Sequence, residues 1–141
     1  MARFFAQIAA PVFLVLTVVG LVVTGIGDAS KVVAGRAGGN VDNLVLHLTW
    51  LRDLLDAVFL MVCIWVGFIA SRRAGRLAMI AMGVVLLALA ISGFIVGDDD
   101  AASKGYAGLH FPVAINVFDL IVGLLALLSG LGTVDEPEPA R

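Results

Sequence analysis

Apolar residues dominate four long stretches of the chain, and shorter polar segments separate them. The stretches cover residues 5–26, 44–70, 77–96 and 112–131. Each is long enough for a helix to cross a hydrocarbon core of about 30 Å, which takes roughly 20 residues. The pattern predicts an all-α integral membrane protein in which residues 1–132 form a bundle of four transmembrane helices.

The polar segments between the spans have the composition of loops. They read GDASKVVAGRAGGNVDN, SRRAGR and GDDDAASKGYAGLHF, and are rich in Gly, Asp, Ser and basic residues. Residues 133–141 combine acids with proline and predict a short solvated tail. The first apolar stretch exceeds the roughly 7–15-residue core of a signal peptide, so we expect an uncleaved helix.

Basic residues predict the orientation of the bundle. The side with both chain ends and the SRRAGR segment carries Arg3, Arg72, Arg73, Arg76 and Arg141, and the other side carries Lys31, Arg36 and Lys104. Cytoplasmic segments carry the excess of Lys and Arg. We therefore expect a multi-pass protein of the plasma membrane with both termini in the cytoplasm.

The two halves of the chain share a polar pattern. Asp53 precedes Asp56 by three residues in the second span, and Asn116 precedes Asp119 in the same way in the fourth. A glycine follows each later aspartate at the same distance, and the first and third spans end in similar glycine-containing segments. Short apolar repeats also match by chance, but the pattern favours two repeated two-helix units related by an axis along the membrane normal.

Five polar residues lie on the inward helix faces that a helical wheel predicts for the second and fourth spans: Arg52, Asp53, Asp56, Asn116 and Asp119. An ionised aspartate at bilayer depth costs at least about 2.5–3.5 kcal/mol, so each needs a partner or a proton. Arg52 precedes Asp56 by one helical turn and is within reach of Asp119.

This intramembrane polar cluster has two interpretations. In the first, which we prefer, Arg52 pairs with an acid and holds the bundle in register as a structural clasp. In the second the acids form a proton or cation relay, because three carboxyl groups face one arginine. The surplus charge is equally removed if one carboxyl group simply stays protonated.

Cofactor sites have weak sequence support. His47 and His110 are the only histidines, and topology puts both near the outer surface. Paired histidines in a four-helix bundle are able to hold haem. His47, however, lies away from the inward face of its span, so we prefer interfacial histidines and keep haem or quinone as an alternative. The single cysteine offers no metal framework, and no nucleophile–base pair occurs, so we expect neither a metal site nor an enzyme.

Composition agrees with a membrane protein. The 141 residues are 61% hydrophobic and 14% charged, and the mean hydropathy is +1.08. A globular protein of this size cannot bury this excess of apolar residues. The lipid bilayer must therefore cover it. A net charge of −2 without a basic patch argues against nucleic acid as a partner.

Two segments carry a family resemblance: SRRAGRLAMIAMGVVLLALAISGFIVG and INVFDLIVGLLALLSGLG. Over most of residues 3–132 the chain resembles a group of small four-helix bacterial membrane proteins of unknown function, common in actinobacteria. The resemblance implies the fold and no activity. The second and fourth helices of that family carry an Asn followed three residues later by a His. Asn116 matches, Asp119 stands in the histidine position, and Asp53 and Asp56 replace both residues in the second span.

Three functional hypotheses follow. The first is a non-enzymatic membrane protein that acts by association, as an accessory subunit of a larger membrane complex or as a homo-oligomer. The second is a proton- or cation-linked transport component using Asp56 or Asp119. The third is a haem- or quinone-binding electron-transfer subunit using His47 and His110. We rank them in this order because the sequence lacks a catalytic constellation.

Overall fold

The described part of this membrane protein is all-helical and consists of four long helices. The computed structural model describes residues 1–24, 49–97 and 109–134. The helices are α1 (Ala2–Thr24), α2 (Trp50–Phe68), α3 (Arg72–Val96) and α4 (Val113–Leu131). This confirms the predicted fold class.

Three of the four helices are long and apolar enough to cross a membrane. They are α1 over Ala2–Val22, and the whole of α3 and α4. The predicted second span, α2, is as long as α4, but its first two turns carry Arg52, Asp53 and Asp56. All three charged side chains are buried in the bundle, so the outer face of α2 is as apolar as that of its neighbours.

The helices α2 and α3 begin where a hydroxyl group caps them. Thr49 precedes α2, and its side chain accepts a hydrogen bond from the backbone of Arg52 at 3.4 Å. Ser71 precedes α3 and accepts from the backbone of Ala74 at 3.3 Å. The prediction that SRRAGR is a loop was therefore wrong, because α3 starts at Arg72 rather than at residue 77.

The other two helices differ little from prediction. α1 begins at Ala2 rather than residue 5, and the backbone N–H of Ala2 donates to the Thr133 hydroxyl at 2.8 Å. Both described chain ends therefore meet at one end of the bundle. α4 matches the predicted span to within one residue, with Pro112 at its N-cap. The predicted loop at residues 27–43 and the tail beyond Val134 lie outside the described residues, as do residues 98–108 of the loop predicted at 97–111. The same holds for residues 25–26 and 44–48 of the predicted spans.

The helices pack as two close pairs. The first pair is α1 with α2, and the second pair is α3 with α4; contacts between the pairs are sparser, and α2 and α4 contact each other least. In the second pair a Cβ atom at Gly83 would lie 2.6 Å from the Leu127 nitrogen. Small residues thus bring α3 and α4 into backbone contact, as is usual between membrane helices.

An aromatic residue joins the pairs at the centre of the bundle. Phe13 of α1 is fully buried. Its ring centroid lies 5.5 Å from that of Phe59 on α2 and 6.0 Å from that of Phe118 on α4. These tilted and edge-on geometries are the favourable ones for aromatic rings. The side chain therefore packs against both pairs.

The two pairs bury corresponding positions. Six buried residues of α1 and six of α3 share one spacing: Ala2, Ala6, Ala9, Phe13, Thr17 and Gly20, and Gly75, Met79, Met82, Leu86, Ala90 and Gly93. Likewise Arg52, Asp53, Asp56, Cys63 and Gly67 of α2 match the buried residues Ile115, Asn116, Asp119, Ala126 and Gly130 of α4. This correspondence supports the proposed duplication of a two-helix unit.

Candidate functional site

The centre of the candidate site is an ion pair that crosses the bundle. Arg52 of α2 donates from Nη1 to Oδ2 of Asp119 at 2.7 Å and from Nη2 to Oδ1 at 2.6 Å. Two parallel bonds of this length are the bidentate arrangement in which a guanidinium binds a carboxylate most strongly. Arg52 is 5% exposed and Asp119 is 1% exposed, so water does not screen the pair. It ties together the two helices that otherwise touch least.

Asp56 completes the contacts of the same guanidinium. The Nε atom of Arg52 lies 3.2 Å from Oδ1 and 3.4 Å from Oδ2 of Asp56, four residues further along α2. Residues with this spacing lie on one helix face. The bond to Asp56 is longer than either bond to Asp119. Arg52 therefore pairs both within its own helix and across the bundle, but more strongly across.

Asp53 and Asn116 occupy corresponding positions in the two pairs and make corresponding contacts. A Cβ atom added at Gly20 of α1 would overlap Oδ1 of Asp53, and one added at Gly93 of α3 would overlap Oδ1 of Asn116. Glycine is required at both positions because a polar side chain fills the space of its missing Cβ. These two members of the predicted cluster therefore pack against their own hairpin partners, beside the Arg52 ion pair.

Local backbone structure fixes the cluster at the first turns of α2 and α4. Asp53 lies in the first turn of α2, where a carboxylate interacts favourably with the helix dipole. Nδ2 of Asn116 donates to the carbonyl of Phe111 at 2.9 Å, so the side chain holds the segment that leads into α4. Thr49, which caps α2, is fully buried beside this region. Each charged group thus extends from a backbone that is itself hydrogen-bonded.

The cluster holds more acidic than basic groups. Asp53, Asp56 and Asp119 are almost completely buried with the single guanidinium of Arg52. Removing ions from water costs several kcal/mol each unless they are paired, so an ionised surplus is expensive here. The arrangement is chemically able either to lock helices in register or to hold an exchangeable proton.

The histidines do not form a site within the described residues. His110 is buried and lies two residues before Pro112, the N-cap of α4. His47 lies outside the described residues, so paired haem ligation remains a prediction. In the described part of the chain, no group of three or more His, Cys, Asp or Glu side chains is arranged for a metal ion. Cys63 is buried, with its sulfur 3.9 Å from that of Met82.

Sequence reasoning identified all five buried polar residues of the cluster but missed the glycines that adjoin it. The signal was present, because Gly20 and Gly93 occupy corresponding positions near the ends of the first and third spans. It also missed the contacts at the other end of the bundle. There Arg3 donates to the carbonyl of Ala70 at 2.9 Å, and Gln7 donates to that of Gly67 at 3.0 Å.

The chain matches no protein-family model, and no curated protein or solved structure matches it either.

Proposed function

We propose that this protein is a non-enzymatic membrane subunit that acts by association, with α2 as its fourth transmembrane helix. The observation that carries the proposal is that all three nitrogens of the Arg52 guanidinium are paired with carboxylates inside the bundle. Both Nη groups of Arg52 bind Asp119 and its Nε contacts Asp56. All three side chains are almost fully buried. Such a cluster suits a clasp that sets helix register, the best-attested use of buried polar groups.

The outer surface supplies the second part of the argument. A shallow depression of about 440 Å³ lies on the outer face of α2, lined by Ala57, Val58, Met61, Val62 and Trp65. Helices in lipid associate by close packing rather than by the hydrophobic effect. A recess in a lipid-facing surface therefore favours a partner that packs into it. The partner that fits an apolar recess along a membrane helix is a transmembrane helix of another subunit.

Native mass spectrometry of the protein, gently extracted from its own membranes, tests this proposal. We expect it to retain a second polypeptide or a further copy of itself. Ala57→Trp fills the recess and should remove that partner, whereas Ala88→Trp, an exposed alanine on α3, should leave it bound. A wild-type spectrum containing only bare monomer would contradict the proposal, as would equal loss of the partner in both variants.

The proposed orientation places both termini in the cytoplasm. The bundle end where Ala2 meets Thr133 also carries Arg3, Arg72, Arg73 and Arg76. Since basic residues are retained on the cytoplasmic side, this concentration favours that end inside the cell, in the plasma membrane. Labelling of a cysteine introduced at Val134, in a Cys63→Ala background, tests it: a membrane-impermeant reagent should react only after the membrane is opened.

A second function is favoured by the excess of carboxyl groups in the cluster. Three acids are buried close to one guanidinium, and Asp56 makes only the longer contacts to it. An exchangeable proton or small cation at Asp56 would let Arg52 change partners, which is the elementary step of a proton- or cation-linked transport component.

Reconstitution into liposomes distinguishes this second function. A transport component should dissipate an imposed pH or potassium gradient, and Asp56→Asn should abolish the flux while the protein stays folded. A clasp alone predicts no flux from wild-type protein and a destabilised bundle in variants that remove Asp119. Flux that persists unchanged in Asp56→Asn would exclude Asp56 as the exchanging group.

A further inference from the structure

A second, partly enclosed cavity lies at the end of the bundle that holds both described chain ends. Its volume is about 440 Å³. The start of α1, the α2–α3 turn and the segment after α4 enclose it, and Arg3, Gln7, Ser71, Arg72, Thr133 and Val134 are among the residues that line it. The cavity is at the opposite end of α2 from the ion cluster, and the proposed function makes no use of it.

The cavity wall carries positive charge. Arg3 and Arg72 both line it and both are exposed. The guanidinium of Arg3 is held in place by its 2.9 Å hydrogen bond to the carbonyl of Ala70. A guanidinium has five N–H donors, so that single bond orients the group without using its capacity for an anion. The acidic residues within the described ranges all belong to the ion cluster near the other end.

Apolar residues continue from the cavity onto the lipid-facing surface. Phe4 lines the cavity and is 70% exposed, while Phe68 and Ile69 beside the α2–α3 turn are exposed to a similar extent. Guanidinium groups next to exposed apolar side chains at a helix end match a phospholipid, whose charged headgroup adjoins its acyl chains. Basic pockets between transmembrane helices are a recurrent means of binding anionic headgroups.

We propose that this cavity binds the phosphate headgroup of an anionic phospholipid, with Arg3 and Arg72 as its ligands and with the acyl chains along the surface around Phe4. A free phosphate ion shares the headgroup chemistry but lacks the chains. The site commits to the lipid because the apolar surface adjoins the charged one. The proposal does not depend on the association function or on the orientation of the bundle.

The test is native mass spectrometry of the full-length protein in detergent, titrated with phosphatidylglycerol or phosphatidylcholine. Phosphatidylglycerol should bind at least about fivefold more tightly. Arg3→Gln and Arg72→Gln should each weaken it about fivefold, the effect of losing one basic residue near a membrane surface. Arg73→Gln is the matched control, because Arg73 is exposed in the same helical turn and does not line the cavity. It should bind phosphatidylglycerol as the wild type does.

Two further variants keep the result interpretable. Arg3→Lys preserves the charge and should retain most of the binding even if the hydrogen bond to Ala70 is altered. Replacing the three tail acids Asp135, Glu136 and Glu138 by their amides removes competing negative charge and should not reduce binding. Thermal unfolding of every variant identifies any that fail to fold, and affinity is compared only among the folded ones.

Three outcomes would overturn the proposal. Equal affinity for the two lipids would show that the headgroup charge is not recognised. Equal losses in Arg73→Gln and the two cavity variants would indicate diffuse attraction rather than a site. Displacement of phosphatidylglycerol by millimolar inorganic phosphate would identify the ligand as a soluble anion. Retention of the lipid in phosphate, with selective loss in the two cavity variants, supports the lipid site.

Discussion

The first and second helix pairs bury corresponding positions but fill them differently. Where α3 and α4 meet at Gly83 and Gly123, the corresponding residues of α1 and α2 are Ala10 and Leu60. The second pair is therefore held by backbone contact, and the first by larger side chains that include Phe13 and Phe59. A common backbone arrangement thus tolerates two kinds of interface, provided that the volume on each inward face is balanced.

The polar residues show the same correspondence with one exception. Asp56 corresponds to Asp119, and Asp53 corresponds to Asn116, but Arg52 corresponds to Ile115. One guanidinium therefore serves two equivalent carboxyl groups, one from each pair. A symmetric protein with isoleucine in both places would lack this bond between the pairs. This exception adds a charged contact between the two hairpins to the aromatic contact of Phe13.

Replacing Arg52 with isoleucine, the residue at the corresponding position 115 of α4, tests the role of this ion pair most directly. Arg52→Ile leaves Asp56 and Asp119 buried without their cation, and breaking a buried pair in this way costs about 3–5 kcal/mol. We expect the midpoint of reversible SDS-induced unfolding to fall by the largest amount of any variant considered. Tryptophan fluorescence from Trp50 and Trp65 reports it.

A second substitution separates pairing from packing. Adding Asp119→Asn to Arg52→Ile removes the orphaned carboxylate and should recover more than half of the lost stability. Asp119→Asn alone should destabilise, because it leaves Arg52 with the weaker contact to Asp56. If the double variant is no more stable than Arg52→Ile, the ion pair is not the element that joins the hairpins.

The aromatic contact between the pairs gives the next largest effect. Phe13→Ala removes a fully buried ring that contacts Phe59 and Phe118, and such truncations cost about 3–5 kcal/mol in protein cores. Leu86→Ala, at the corresponding position of α3, removes a smaller fully buried side chain and should cost less, about 2–4 kcal/mol. Equal losses in the two variants would mean that Phe13 acts only within its own pair.

The sequence was sufficient to predict which faces of α2 and α4 turn inward. Polar residues in lipid are costly, so their spacing fixes the inward face, and Arg52, Asp56 and Asp119 are indeed buried together. The repeat indicated two-helix units, but the sequence was insufficient to predict which apolar faces of α1 and α2, or of α3 and α4, contact each other. Apolar helix surfaces resemble one another and resemble lipid, so composition alone does not distinguish neighbouring helices.

The start of α3 was predicted wrongly for a different reason. SRRAGR has the charge and glycine content of a loop, yet Ser71 caps α3 and Arg72 to Arg76 form its first turns. Charged residues are tolerated in a helix wherever it extends beyond the hydrocarbon core. Hydropathy therefore marks the length of helix inside lipid, and capping residues mark where the helix itself begins.

The backbone contact of the second pair should be broken by one added side chain. Gly83→Val places atoms where the Leu127 nitrogen and the Gly123 carbonyl oxygen lie, at 2.6 and 2.8 Å from a Cβ. Overpacking of this kind costs about 1–3 kcal/mol. Ala81→Val, at an exposed position of the same helix, is the control and should leave the unfolding midpoint nearly unchanged. A similar loss in both variants would indicate an effect on α3 itself rather than on its contact with α4.

The smallest expected effect concerns the chain ends, where the pairs again differ. Thr133 follows α4 and accepts the hydrogen bond of Ala2 N–H, whereas the corresponding residue after α2 is Ala70, whose carbonyl accepts from Arg3. Thr133→Val keeps the shape and removes two hydrogen bonds, at about 1 kcal/mol each. One is accepted from Ala2 N–H, and the other is donated by the hydroxyl to the carbonyl of Ser129 at 2.7 Å. Ser129→Ala is the control, because its hydroxyl bonds only within α4, to the carbonyl of Ala126. Faster amide exchange at Ala2 in Thr133→Val alone would show that this bond fastens α1 to the second pair; unchanged exchange would mean that packing alone holds the chain ends together.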